Sequence, residues 1–514
     1  MRFFPGAAFI AAFFLCFCLS AAQAQEVTLK SRDGAVTIHG TLRGFDGEFY
    51  RVETIYGLLT VDGQRVLCDG AACPGPEARV AAFAFSGARE MGQVLMPALV
   101  EAYAAERGLT MRRRVEDAAH FTYALRDAEG ATVARIRFRA TTTDEGFADL
   151  LAGEADLVMA ARPASPTELA LARDAGLGDL ADPARRRVVA LDAVVPVVAR
   201  DNPVTEIDEA SLRAVLTGEI TDWGALGGPD GAIALHGLAP GAGLLQTVAR
   251  RLETPLPAQH RHADSAALAD AVAADPAAFG LAYWSEAGNA RALSLAGGCG
   301  MPARATRQSI KTEDYPLTAP LFLYSAARRM PPFARAFLAF LDTPDAQAVI
   351  RRAGYVDLSR EAIPLAHQGQ RLAYAIAAAG DEVPLSELKR LVTRVEGAAR
   401  LTPTFRFEGG EAQLDAQSFA NIAALARAIE AGAFQGQTLM FLGFSDGRGP
   451  AAANRGIARA RAEAVRDAVM AAATLADRSH LRILVDAFGE ALPNACDEFD
   501  WGRRANRRVE VWLR

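Results

Sequence analysis

From about Val80 onward, short apolar runs alternate with segments whose apolar residues recur at helical spacing, and no other feature constrains the fold as much. "RVAAFAFSG" reads as a buried strand ending in a Ser-Gly turn, and "MGQVLMPALVEAYAAERG" as a helix stopped by Gly108. "EADLVMAARP", "VVALDAVVPVVARDNPV" and "FGLAYW" read as further strands, "DEASLRAVLTG" and "PPFARAFLAFLDTPDAQAVIRRAG" as further helices. Strands taking turns with helices specify an α/β sheet covered on both faces, with ligands at the C-terminal ends of its strands.

Other periods flank this region, and 514 residues are enough for several domains. Residues 26–67 alternate apolar and polar positions between Asp-Gly and Tyr-Gly turns, which predicts four or five short strands in a small barrel or curled sheet over 25–75. Within it Cys68 and Cys73 bracket "CDGAAC", close enough for a disulfide in an oxidising compartment. "CPGPEAR" supplies the proline and glycine of a linker. Residues 357–398 read as a helical connector. From Leu401 the order is β-α-β-α-β-β, which suits two helices on one face of a small sheet. Cys299 and Cys496 fall in different domains and read as two buried thiols, since a bridge would require those domains to touch.

Arg2, the apolar run "FFPGAAFIAAFFLCFCLS" and the small residues Ala22 and Ala24 before Gln25 predict a cleaved signal peptide over 1–24. The expected location is the periplasm, associated with the cell wall or outer membrane. The net charge of -6 is spread along the chain and gives no footprint for nucleic acid. Only Lys30, Lys311 and Lys389 are lysines among the 55 basic residues, so arginine clusters are discounted as compositional bias. No nucleophile–base pair, metal-ligand spacing or cofactor motif stands out, so the reading is a binding protein and not an enzyme. His236, His260 and His262 read as surface histidines in unrelated contexts.

Several segments in order, "FSGAREMGQVLMPALVEAY", "GFADLLAGEADLVMAARP", "VVPVVARDNPV", "LTGEITDWGALGG" and "FGLAYW", resemble the phosphate-type periplasmic solute-binding proteins over residues 79–356. The resemblance implies two hinged lobes that close on phosphate or another small anion. Its site residues would be Ser86 at the first strand-to-helix turn, Thr142 and Thr143 before a helix, and Arg162 in "AARP"; Arg89, which with Ala88 replaces the family's small polar pair, is a further candidate ligand. The sequence departs from the family where Asp144 and Glu145 bring negative charge to that mouth. It departs again where Ala242, Gly243 and Leu244 replace a Ser-Gly-Thr loop. Ser86, Thr142 and Thr143 have an alternative as helix caps, and Arg162 as a surface arginine.

"GFSDGRG", Asn454, "ARARAEAV", "GEALP" and the terminal "GRRANRRVEVWL" resemble the OmpA C-terminal-like domain over residues 399–514. That resemblance implies binding to peptidoglycan through the diaminopimelate of the peptide stem, with Asp446 as the acid, Arg461 as the base and Asn454 supporting the loop. Ser445 stands where the family has threonine, and Arg507 is a further candidate wall contact. A ligand with an ammonium and a carboxylate on one carbon needs a fixed acid and a fixed base close together. The helical row Ile457–Arg461–Val465 is expected to face the sheet, and Arg455, Arg459 and Arg466 to fall off it. The expected protein is thus an α/β multidomain chain that attaches non-covalently to peptidoglycan and presents a phosphate-type solute-binding domain. The alternative is an envelope adaptor whose lobes bind no solute and dock a protein partner.

Overall fold

A computed structural model describes residues 26–45, 47–75, 80–238, 243–244, 246, 248, 260–296, 299, 302–407, 413–475, 477 and 480–514. The signal peptide 1–24, the linker residues 76–79 and Ala242 lie outside the described residues. The chain forms two compact units, one ending at Ala81 and one running from Ala82 to Arg514.

The first unit is an antiparallel five-stranded sheet made of Glu26–Ser31, Thr37–Phe45, Phe49–Thr54, Gly57–Asp62 and Val66–Asp69, with the first strand between the second and the fifth. Strand alternation puts Val27, Leu29, Tyr50 and Val52 on one buried face. The Cys68–Cys73 disulfide closes the loop after the last strand, with a Cα–Cα distance of 5.7 Å.

In the second unit, one sheet runs through both lobes. Strands Thr110–Val115, His120–Arg126, Thr132–Thr141, Ala81–Ala88, Leu157–Ala160 and Thr318–Ser325 follow one another across the first lobe. The 13-residue strand Arg186–Val198 joins the halves: residues up to Ala193 pair with Thr318–Ser325, and those from Val194 pair with Ala278–Tyr283. Ala234–Leu238 and His260–His262 extend the second lobe. Where the strands cross between lobes, three buried carboxyls gather. Burial raises Glu90 to about 7 and Asp192 to about 6, and burial together with the like charges of Glu90 and Asp192 raises Glu286 to about 8.

The C-terminal region is a five-stranded sheet in the order Ala362–Pro364, Ala399–Arg406, Arg508–Leu513, Thr438–Phe444, Arg482–Ala487. Helices Ala416–Glu430 and Ala451–Ala472 cover one face through Ile422, Leu425, Val465 and Val469 packed on Phe405, Phe441 and Val511. The opposite face is covered as well. Leu388, Leu391 and Val395 of helix Leu385–Val395, within the stretch read as a connector, pack on Met440, Leu442, Phe444 and Trp512. Alternating strand residues are apolar on both faces of this sheet, so one layer of helices cannot bury them all.

Two readings of the sequence are corrected. Cys299 and Cys496 are bonded to each other across a sequence separation of 197, so the lobes and the C-terminal region touch. The histidines at 236, 260 and 262 meet on one edge of the sheet: His236 pairs in register with His260, and His236 Nδ1 lies 2.9 Å from His262 Nε2. Parallel pairing places their side chains together although 24 residues separate the strands' first partners in the chain. Among the described residues no group of His, Cys, Asp and Glu is arranged to hold a metal, and no helix is long and apolar enough to cross a membrane.

Candidate functional site

Strand Thr438–Phe444 carries the acid and helix Ala451–Ala472 the base, and the two press closely together. A Cβ on Gly443 would lie 2.0 Å from the carbonyl oxygen of Ala458, so only glycine fits there. Asp446 follows the strand end and is mostly buried. Its carboxylate accepts from Arg507 Nη1 at 2.6 Å and from the backbone N–H of Arg448 at 3.3 Å. Arg461 is 5 % exposed, and its guanidinium lies 5.0 Å from the centre of the Phe407 ring. Burial and the like charge of Arg507 lower its pKa, while Asp446 raises it. The site is therefore one carboxylate held by Arg507 with Arg461 beside it, not an isolated Asp446–Arg461 pair.

The surrounding loop is tied on every side. Asn454 donates to the carbonyl of Gly449 and to Glu490, both at 3.3 Å. The N–H of Gly447 donates to Asp497 at 2.6 Å, and Asn506 donates to the other oxygen of Asp497 at 2.7 Å. Ser445 Oγ is buried and has no hydrogen-bond partner among the described residues. Glu490 is the acid of "GEALP", which marked the region but was assigned no role, whereas Asp497 carries no motif signal and only its closeness to the "GRRAN" turn hints at its place. The helical row differs from expectation in one position. Ile457 is 49 % exposed, and Arg461 shares the buried face with Asn454, Ala458, Ala462 and Val465. The helix is rotated so that alanines, small enough for close contact, meet the sheet.

Segment 494–507, which brings Arg507 to Asp446, is bolted to the lobes. Cys496 is bonded to Cys299, and Asn494 donates to Asp314. The N–H of Trp501 donates to Glu209 at 3.4 Å. Asp314 also holds Arg400 at 2.6 and 3.0 Å.

In the lobes, Ser86, Thr142, Thr143 and Arg162 are each engaged by the protein itself. Ser86 Oγ donates to Asp149 at 2.5 Å. Thr142 caps helix Thr143–Ala152 by accepting from the N–H of Glu145, and Thr143 Oγ1 accepts from the N–H of Ala161 at 3.1 Å. Arg89 is half-buried in the turn after Ser86 and is not drawn to Arg162 by any described contact. Arg162 is 6 % exposed, and its five N–H donors meet five acceptors. Nε donates to Gln246 at 2.6 Å, Nη1 to the carbonyl of Pro163 at 3.0 Å and to Glu168 at 2.8 Å, and Nη2 to Glu168 at 2.7 Å and to Asp144. Gln246 in turn donates to Asp144, so a residue of the second lobe closes over a carboxylate of the first. Asp144, Glu168 and Gln246 sit where the sequence alone placed an anion. A cavity of about 380 Å³ is lined by Arg162, Phe407 and Trp501 among others, and Phe407 also carries the Arg461 guanidinium, so one ring touches both candidate sites.

Fold and geometry define a two-lobed binding-protein module joined to an α+β module with a buried acid between arginines. Comparison with known proteins agrees: residues 119–344 match the PBP superfamily domain and residues 406–507 match the OmpA family. Solved structures similar to the chain include an ABC-type phosphate transport receptor from Vibrio cholerae. It is 20% identical with a TM-score of 0.41, over 53% of this chain and 99% of that one. A putative phosphate ABC transporter substrate-binding protein from Clostridium perfringens is 17% identical with a TM-score of 0.42, over 54% of this chain and 100% of that one. No curated protein sequence matches the chain.

Proposed function

We propose that this protein is an exported envelope protein that grips peptidoglycan through its OmpA-family region and holds its PBP-type lobes at the wall. The observation that carries the reading is the convergence of Asp446, Arg461 and Arg507 at one strand end. A zwitterionic stem residue such as diaminopimelate would give its carboxylate to Arg461 and its ammonium to Asp446, which then shares its charge with Arg507. The partly buried setting strengthens both contacts relative to water. The test is sedimentation of the full chain with purified peptidoglycan. Asp446→Ala and Arg461→Ala should each weaken retention by roughly 2 kcal/mol, because the first leaves the ligand's ammonium and the second its carboxylate without a counterpart in a partly buried site. If both variants, folded by circular dichroism, sediment as wild type does, the reading fails.

For the lobes, the five filled donors of Arg162 favour the adaptor reading over a phosphate receptor. An incoming anion would have to displace Asp144 and Glu168 from a guanidinium that already holds two carboxylates. Titrating phosphate and sulfate into the full chain should give no melting shift; a clear stabilisation by either would restore the receptor reading.

A further inference from the structure

The edge of the first lobe carries a face that neither proposed site uses. Strands Thr110–Val115, His120–Arg126 and Thr132–Thr141 form an antiparallel meander, and strand alternation sorts their side chains cleanly. Phe121, Tyr123, Leu125, Ala134, Ile136 and Phe138 point inward and are buried. The outward positions are Arg112 and Arg114 on the edge strand, Thr122, Ala124 and Arg126 on the middle strand, and Arg135 and Arg137 on the third.

Register makes these positions a trough. Arg112 pairs with Ala124, which pairs with Arg135; Arg114 pairs with Thr122, which pairs with Arg137. Two small residues therefore form a floor between two walls of arginine, about 10 Å apart from the usual strand spacing and repeating about every 7 Å along the strands. Arg126 closes one end and Glu116 stands at the rim, and the trough encloses about 480 Å³. Arg112, Arg114, Arg126 and Arg137 are exposed, and among the described residues none of the four has a carboxylate at ion-pair distance. Arg139, two positions along the same strand, follows the chain's ordinary practice: Asp149 holds it at 2.6 Å and Glu145 lies at 3.8 Å. Each of these four positive charges thus has a like neighbour within about one Debye length, where salt screens the pair incompletely.

We propose that this face binds a run of closely spaced phosphates. The facing walls select the chemistry: the oxygens of a phosphate spread tetrahedrally, so guanidiniums from both walls can share one group, whereas the two oxygens of a carboxylate lie in one plane and suit a single fork. Guanidinium forks match phosphate oxygens in pairs, and the recessed floor of Thr122 and Ala124 leaves room for the linking atoms. The phosphates belong to a soluble polyphosphoryl group or to a phosphorylated membrane surface, and the experiment separates the two.

Inorganic tripolyphosphate is titrated calorimetrically into the full chain at low ionic strength, with polyglutamate as the carboxylate control. A parallel arm sediments the chain with phosphatidylcholine vesicles made with and without phosphatidylglycerol. Tripolyphosphate should bind, and loosen steeply as salt rises. Arg112→Glu combined with Arg114→Glu should cost about tenfold or more per guanidinium, the worth of a charge-assisted hydrogen bond. Arg126→Ala should weaken binding without reversing a charge, and Arg173→Glu, an exposed arginine elsewhere, should leave it unchanged. Peptidoglycan retention should be the same in all these variants, so failure here is distinct from failure at Asp446. Vesicle sedimentation that needs phosphatidylglycerol and is lost in the double variant assigns the phosphates to a membrane. Its absence alongside tripolyphosphate binding assigns them to a soluble group. No response to tripolyphosphate, equal affinity in the double variant, or polyglutamate binding as tightly as tripolyphosphate overturns the proposal.

Discussion

Replacing Asp314 by alanine removes the carboxylate that Arg400 and Arg406 both face where the lobes meet the C-terminal sheet. Burial pushes this carboxyl up, but Arg400, Arg371 and Arg406 outweigh burial and hold it at about 2, below its ordinary 3.8. That depression corresponds to about 2 kcal/mol of folding free energy at ~1.4 kcal/mol per pH unit. Deleting the group costs more than protonating it, because Arg400, 1 % exposed, is left with only Glu510, at 3.6 Å, against its buried charge; about 3 kcal/mol is expected. The assay is urea unfolding of the oxidised full chain, wild type against Asp314→Ala, at pH 7 and pH 3. Since the folded pKa is depressed, the contribution is fully present above 3.8 and fades as pH falls toward 2. The gap between the two proteins should therefore narrow by about 1 kcal/mol at pH 3. A gap below about 1 kcal/mol at pH 7, or one of the same size at both pH values, would refute the reasoning.

Reducing the Cys299–Cys496 bond, or Cys299→Ser, should destabilise the second unit by roughly 2–5 kcal/mol in urea unfolding and lower peptidoglycan retention several-fold, because segment 494–507 presents Arg507. Retention equal to the oxidised wild type would show that the bond does not hold the site. Asp144→Asn with Glu168→Gln takes both carboxylates off Arg162, and phosphate should then raise the melting temperature where it does not in wild type; no shift would mean that Arg162 makes no anion site even when uncovered. Glu286→Gln should stabilise the chain at pH 8 by about 1 kcal/mol or more and change little at pH 5. A carboxyl raised to about 8 is folded in its protonated form, so its penalty grows as pH climbs from 4.5 through 8. Equal melting of variant and wild type at pH 8 would show that Glu286 is not held protonated.

What the sequence made legible was periodic or local. The switch from period two to alternating strands and helices marked the small sheet, the lobes and the C-terminal region. "GFSDGRG" with the arginine-studded helix marked Asp446 and Arg461. Partners chosen only by tertiary packing were not legible. Nothing near Arg162 announces that Asp144 and Glu168 fill it, since 18 residues and a strand separate the first pair. The Arg507–Asp446 bond spans 61 residues. Cys299 and Cys496 looked solitary because pairing depended on whether two modules touch. The misplacement of Ile457 has a simpler cause: apolar spacing alone cannot tell a helix face of isoleucine and valine from one of alanines, and close packing against Gly443 selects the alanines. The arginine trough was present in the alternation of "RIRFR", but the chain-wide excess of arginine masked it until register joined three strands.

The bond between Cys299 and Cys496 also decides how the protein carries tension. A pull applied between the wall and the lobes enters at the loop after Thr438–Phe444. Without the bond, it would leave through the backbone of residues 357–398, peeling that layer from the sheet one helix at a time. With the bond in place, a second covalent route runs from Cys496 directly into the lobes, and the Asp314 cluster lies beside it. With two covalent routes, the helical layer is no longer the sole link between the lobes and the C-terminal sheet, and on the proposed wall-bound reading the two would share a pull.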